Sequence, residues 1–140
     1  MKTKTFVPVE EYLHTDYSPD CDYVDGEFAI AVELRVQVSA TRYRVPDVCL
    51  ARAERPMPQI FHKPPLLVIE ILSPEDRFSV LEKKIHDYLA FGIPNLWVID
   101  PWERRAFIYT REGRVESEDP ILRTADGEIV LPLAEIFAQT

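Results

Sequence analysis

The sequence predicts an α/β (α+β) domain in which a mixed central sheet is flanked by one long helix. Three observations carry that reading. Residues 66–72, Leu-Leu-Val-Ile-Glu-Ile-Leu, are apolar at every position but one, as in a strand covered on both faces. Ser73-Pro74-Glu75-Asp76 follows at once and places serine at N-cap, proline at N1 and an acid at N3 of a helix. Shorter apolar runs separated by turns lie on both sides of this pair and supply the remaining strands.

The chain has 140 residues, enough for one domain spanning 1–140 and no room for a second. With 46% hydrophobic and 29% charged residues it can bury a sizeable core, and it is neither disordered nor low in complexity. No apolar stretch is long enough to span a membrane. The start carries two lysines, but acids follow with no apolar run between, so no secretory signal is read and a cytoplasmic location is expected. Cys21 and Cys49 cannot build a disulfide framework and form no C-x-x-C pair, so both read as reduced thiols. The formal charge of −8 argues against a protein that coats DNA nonspecifically. It leaves room for an enzyme that meets DNA through a local patch.

Taken in order, residues 8–15 suit one or two helical turns and Asp16–Asp25 reads as loop. Phe28–Val38 and Tyr43–Ala51 read as strands, the second interrupted by Pro46, which suits a strand start, an edge or a bulge. Residues 52–65 are turn-rich and feed the strand 66–72. The helix is expected from Pro74 to about Phe91, stopped by Gly92 with Pro94 beyond. Strands follow at Leu96–Asp100 and Ala106–Thr110, then a turn at 111–114, short strands at Val115–Ser117 and Glu128–Leu131, and a last helical turn or two at Leu133–Ala138.

Three polar residues stand where the pattern wants apolar ones. Glu70 interrupts the most hydrophobic segment, where a carboxylate is costly to bury unless paired; it is a functional acid, or one half of a structural ion pair, or it lies on a face that meets solvent. Asp47 follows Pro46 in an apolar strand, although Pro-Asp is also common in turns. On a wheel of about 100° per residue, Leu81, Tyr88, Ile85, Phe78 and Leu89 form an apolar arc. Val80 and Phe91 extend the arc, with Lys84 and Arg77 lodged inside it. Glu82, Lys83, Asp87 and Glu75 take the solvated side. Lys84 is therefore a site lysine or a snorkelling one. Two carboxylates on adjacent strands can hold a hard cation such as Mg²⁺ with water and a phosphate oxygen. A lysine beside them can orient water or balance charge.

Pro46-Asp47-Val48, Val68-Ile69-Glu70-Ile71-Leu72-Ser73-Pro74, Lys84-x-x-x-Tyr88 and the block from Gly92 to Pro101 together resemble the putative restriction endonuclease-like family, common in cyanobacteria, of the PD-(D/E)XK nuclease superfamily. Tyr23-Val24-Asp25-Gly26-Glu27 resembles its N-terminal entry. The resemblance implies a restriction endonuclease-like sheet with Asp47 and Glu70 on neighbouring strands as metal ligands for Mg²⁺ or Mn²⁺, DNA as substrate, and Asp47, Glu70 and Lys84 as catalytic residues. The superfamily's usual lysine position is Leu72 here, and Lys84 on the following helix takes its place. Tyr88 either lines the same pocket or packs. Asp100 reads as a turn-former before Pro101 rather than a ligand.

Family members also carry a long amphipathic helix between the Asp-Gly-Glu block and the Pro-Asp strand. Only Phe28–Val32 separates Glu27 from Glu33–Val38 here, so the N-terminal side reads as truncated by about thirty residues. Truncation would bare a sheet face and favour a homodimer. It leaves open a catalytically inactive, protein-binding remnant as the alternative to a working endonuclease. Arg104, Arg105, Arg111 and Arg114 suit phosphate contacts or plain solvation. A third class, a domain handling a phosphorylated small ligand, finds no phosphate-loop motif among the four glycines.

Overall fold

The computed structural model of the protein describes residues 21–24, 28–54, 58–118, 120–127 and 129–137. In chain order the elements are β1 (Cys21–Val24), β2 (Phe28–Val32), β3 (Arg35–Ser39), β4 (Arg42–Arg44), β5 (Val48–Arg52), β6 (Ile60–Phe61) and β7 (Leu67–Ile71). Helix α1 (Phe78–Phe91) follows, then β8 (Leu96–Asp100), β9 (Arg105–Thr110), β10 (Gly113–Glu116), β11 (Ile121–Arg123), β12 (Val130–Pro132) and α2 (Leu133–Phe137). The main sheet has the order β1-β2-β5-β7-β8-β9-β10. Its neighbours are antiparallel except β7 and β8, which run parallel with α1 as the crossover. The sheet is mixed and a single helix of several turns lies among the described residues, as expected.

Both long strands expected before residue 52 are broken. Glu33 adopts φ 57°, a left-handed conformation that ends a strand. The chain therefore leaves the main sheet after β2 and enters a small sheet of order β4-β3-β6. It returns at Asp47, where the Glu33 N–H donates to the Asp47 carbonyl at 3.3 Å, and β5 pairs with β2. Pro46, without an N–H to donate, marks the start of β5. Cys21–Val24, expected as loop, is instead an edge strand paired with β2. The helical turns expected at residues 8–15 lie outside the described residues.

Helix α1 begins at Phe78, four residues later than expected. Asp76 Oδ2 accepts the Ser73 N–H at 2.7 Å while the Asp76 N–H donates to the Ser73 carbonyl at 3.0 Å. This reciprocal turn occupies Ser73–Asp76, and the helix starts after Arg77 with no side-chain cap. The expected Ser73 cap is thus absent, and Ser73→Ala has no cap to remove. The other end is as expected: Gly92 takes φ 99° and donates to Tyr88 and Leu89 carbonyls, a left-handed stop that suits glycine.

Alternate residues of the central strands face opposite ways. On one face Ala29, Ala31, Cys49, Val68 and Val98 meet Leu81, Ile85 and Tyr88 of α1 together with Val36 and Phe61 of the small sheet. On the other, Leu50, Leu67, Trp97 and Ile99 meet Leu122, Leu131, Leu133 and Phe137 from the β11–β12 hairpin and α2. No helix intervenes between β2 and β3, and this second face is covered only in part. Val32 and Ile71, at the same end of it, are 51% and 44% exposed.

Candidate active site

The register of β5 and β7 makes the site. Val48 pairs with Ile69 in antiparallel fashion, so one step further Asp47 falls opposite Glu70 on the face that carries α1. The β7–β8 register sets Glu70 beside Val98. Lys84, on the α1 surface above, brings Nζ to 3.6 Å from Glu70 Oε2. Asp47, Glu70 and Lys84 line one cleft of about 460 Å³, together with Asp76, Arg77 and Leu81. The three residues singled out in the sequence are therefore brought together.

Each carboxylate is also held by the fold. Asp47 Oδ2 accepts the Ile71 N–H at 2.7 Å, fastening the loop before β5 to the end of β7. Tyr88, fully buried, donates its hydroxyl to Glu70 Oε1 at 2.8 Å. That bond resolves the choice left by the sequence: Tyr88 both packs and reaches the site. Burial lifts the Glu70 carboxyl from 4.5 to about 7; the Lys84 charge and the Tyr88 hydrogen bond oppose it, and the Asp47 charge adds a smaller upward push. Burial also pushes the Tyr88 hydroxyl well above its usual range, with the Glu70 charge acting the same way. The tyrosine therefore stays a donor throughout the working pH range.

Asp100 does not join the set. Its Oδ1 accepts the N–H groups of Trp102 and Glu103, both at 3.1 Å, so it is the turn-former it resembled. Among the arginines, Arg105 makes a paired contact with Glu116 at 2.7 and 3.0 Å, and Arg114 lies over the rings of Phe78 and Phe107.

A further pairing was missed. Asp87, assigned to the solvated side of the helix, is buried, with Oδ1 receiving Arg42 Nη1 at 2.9 Å and Oδ2 receiving Arg44 Nε at 2.7 Å. Desolvation alone would raise this carboxyl, but the bonds from Arg44 and Arg42 outweigh it and hold it below its usual range. The available signal was Arg42-x-Arg44, which puts two guanidinium groups on one face of a strand, where a single carboxylate can receive both.

Two hard carboxylate donors with a cation beside them suit a divalent ion that keeps most of its water, as Mg²⁺ does. No cluster of three or more His, Cys, Asp or Glu side chains fit to hold a metal stands among the described residues. Water and substrate oxygens would therefore complete the shell. The donor set fits the ion.

The sheet, the crossover helix and the paired acids together define a restriction endonuclease-like nuclease fold. The sequence model of the Uma2 family, putative restriction endonucleases, matches residues 11–137, and the chain belongs to that family. It is similar to a solved structure described as a putative nuclease belonging to DUF820 from Anabaena variabilis ATCC 29413. The TM-score is 0.67 at 25% identity, over 79% of this chain and 68% of that one. No curated protein matches. Among the described residues no helix is long and apolar enough to cross a membrane.

Proposed function

We propose that this chain is a single-domain, cytoplasmic, metal-dependent endonuclease that hydrolyses phosphodiester bonds of DNA, with Asp47, Glu70 and Lys84 as its working residues. The observation that carries the reading is the β5–β7 register, which sets Asp47 across from Glu70 under Lys84. Asp47 and Glu70 would hold Mg²⁺ or Mn²⁺, which supplies charge stabilisation at the phosphate and a water acidified for attack. Asp47 accepts the Ile71 N–H on Oδ2 and lies within hydrogen-bonding reach of Glu70, with which it would share the ion. Tyr88 fixes Oε1 of Glu70, which aims Oε2 toward Lys84. Lys84 has no lone pair when protonated, so it serves by donating to a phosphate oxygen or to the attacking water. Leu81 and Glu70 are buried at the cleft floor, where the lower dielectric strengthens each of these contacts.

Calorimetric titration with Mg²⁺ and Mn²⁺ tests the reading. The wild type should bind the ion and the Asp47→Ala/Glu70→Ala variant should not; equal binding by both would remove these residues from the metal site. A second reading, a noncatalytic module that pairs with its own copy, is favoured by Val32 and Ile71, exposed together at one end of the sheet.

A further inference from the structure

Beside the cleft lies a second hollow of about 340 Å³, and Leu72, Ser73 and Asp76 line both. Its outer walls are aromatic and open: Trp102 is 69% exposed and Phe78 49% exposed. The backbone beneath both rings is fixed. The turn carrying Trp102 is pinned by the two N–H bonds to Asp100 Oδ1. Phe78 begins α1, and the Arg114 guanidinium lies over its ring at 5.4 Å from the centroid.

The charge around the hollow decides what can enter. Asp76, Asp100 and Glu103 line it, so a phosphodiester group would be repelled. A neutral planar ring would not: it can stack on the indole, and its edge N–H groups can donate to these carboxylates. A base inside a duplex has its faces stacked and its Watson–Crick edge paired, and cannot lie on the indole here. The chain's net charge of −8 also leaves little general attraction for a DNA backbone, so stacking must supply affinity. We propose that this hollow takes one unpaired nucleobase on Trp102, so that the substrate is single-stranded or locally unpaired DNA. The inference deepens the nuclease reading above and rests on it.

The molecule carries its own reporter. Trp97 is 1% exposed in the core, so Trp102 is the indole a ligand can reach. Fluorescence titration of the full chain in EDTA, with a single-stranded oligonucleotide and with the same sequence as a blunt duplex, tests the idea. The single strand should quench the exposed indole and bind at least about tenfold more tightly than the duplex. Trp102→Ala and Trp102→Phe lack the reporting indole, so their binding is read from the anisotropy of an end-labelled oligonucleotide, with wild type measured the same way. Trp102→Ala should weaken single-strand binding by about 5- to 160-fold, the range for losing one stacked base, and Trp102→Phe should restore most of it. Equal affinity for both forms, or unchanged binding by Trp102→Ala, overturns the proposal. Cleavage with Mg²⁺ separates it from the reading beneath. Duplex cut as fast as single strand, and unaffected by Trp102→Ala, would sink the base site and keep the nuclease. Trp102-dependent single-strand binding with no hydrolysis would keep the base site and sink the nuclease.

Discussion

Replacing Glu70 with glutamine removes a charge and keeps the shape. The folded carboxyl titrates at about 7 against an ordinary 4.5, mainly because it is buried. Between those two values the native chain holds a proton that the unfolded chain has released. Stability therefore falls as pH rises from about 4.5 to about 7 and levels off above. At ~1.4 kcal/mol per pH unit of difference, ionised Glu70 disfavours the metal-free fold by ~3 kcal/mol above pH 8. Glutamine cannot ionise, and its carbonyl can still accept the Tyr88 hydroxyl. It does give up the attraction of Lys84, which is 27% exposed and 3.6 Å away, but that attraction already works against the shift. Glu70→Gln should thus be more stable than wild type by ~2–3 kcal/mol at pH 8.5, with the advantage shrinking steadily toward pH 5. Urea unfolding in EDTA, followed by circular dichroism at half-unit steps of pH, measures it. A difference between the two proteins that is constant from pH 5 to 8.5 would refute the reasoning, because it would show Glu70 titrating alike in both states.

Asp87→Ala should cost ~1–2 kcal/mol in urea unfolding, since it strands the largely buried Arg44 guanidinium while the exposed Arg42 turns to solvent; a loss under ~0.5 kcal/mol would mean solvent satisfies both. Two tyrosines buried among the described residues should respond oppositely to loss of the hydroxyl. Tyr88→Phe removes the donor to Glu70 and should destabilise by ~1–3 kcal/mol at pH 8, whereas Tyr109→Phe removes a buried hydroxyl with no partner among the described residues and should be neutral or stabilising. Equal losses in thermal melts would contradict this. Sedimentation equilibrium at micromolar concentration should find a dimer that Val32→Glu or Ile71→Lys returns to monomer; a wild-type mass of 16.2 kDa would dismiss the pairing.

The central strands and the helix were legible because their signals are local. The run 66–72 gave β7 to within a residue at each end, and Gly92 ended α1 where expected. Asp47, Glu70 and Lys84 stood out because each violates the pattern of its own element. What could not be read locally depends on partners far along the chain. Phe28–Val38 looks like one strand, and only the left-handed Glu33 divides it between two sheets. Asp76 looks like half of a helix cap, yet its carboxylate reaches back to the Ser73 N–H. Asp87 looks solvated on a wheel, because a wheel does not contain Arg42 and Arg44. Phe78 and Val80, placed on the apolar arc, are about half exposed because the helix's first turn borders the two hollows, Phe78 on the outer one and Val80 on the cleft.

The bond between the Glu33 N–H and the Asp47 carbonyl closes a neck, and residues 34–46 form everything beyond it. Both sides of the neck belong to paired strands, with Val32 opposite Val48, so the position of Asp47 is set before the excursion's contents matter. Doubling the length of a flexible excursion adds only ~0.6 kcal/mol to its closure. This is then a point at which the exposed tip, residues 39–41, can lengthen or shorten while the acid at the base stays in place. A change of length should be absorbed at the tip because the closing pair carries the geometry at Asp47, whereas Leu34 and Val36 lower in the excursion are packed in the core.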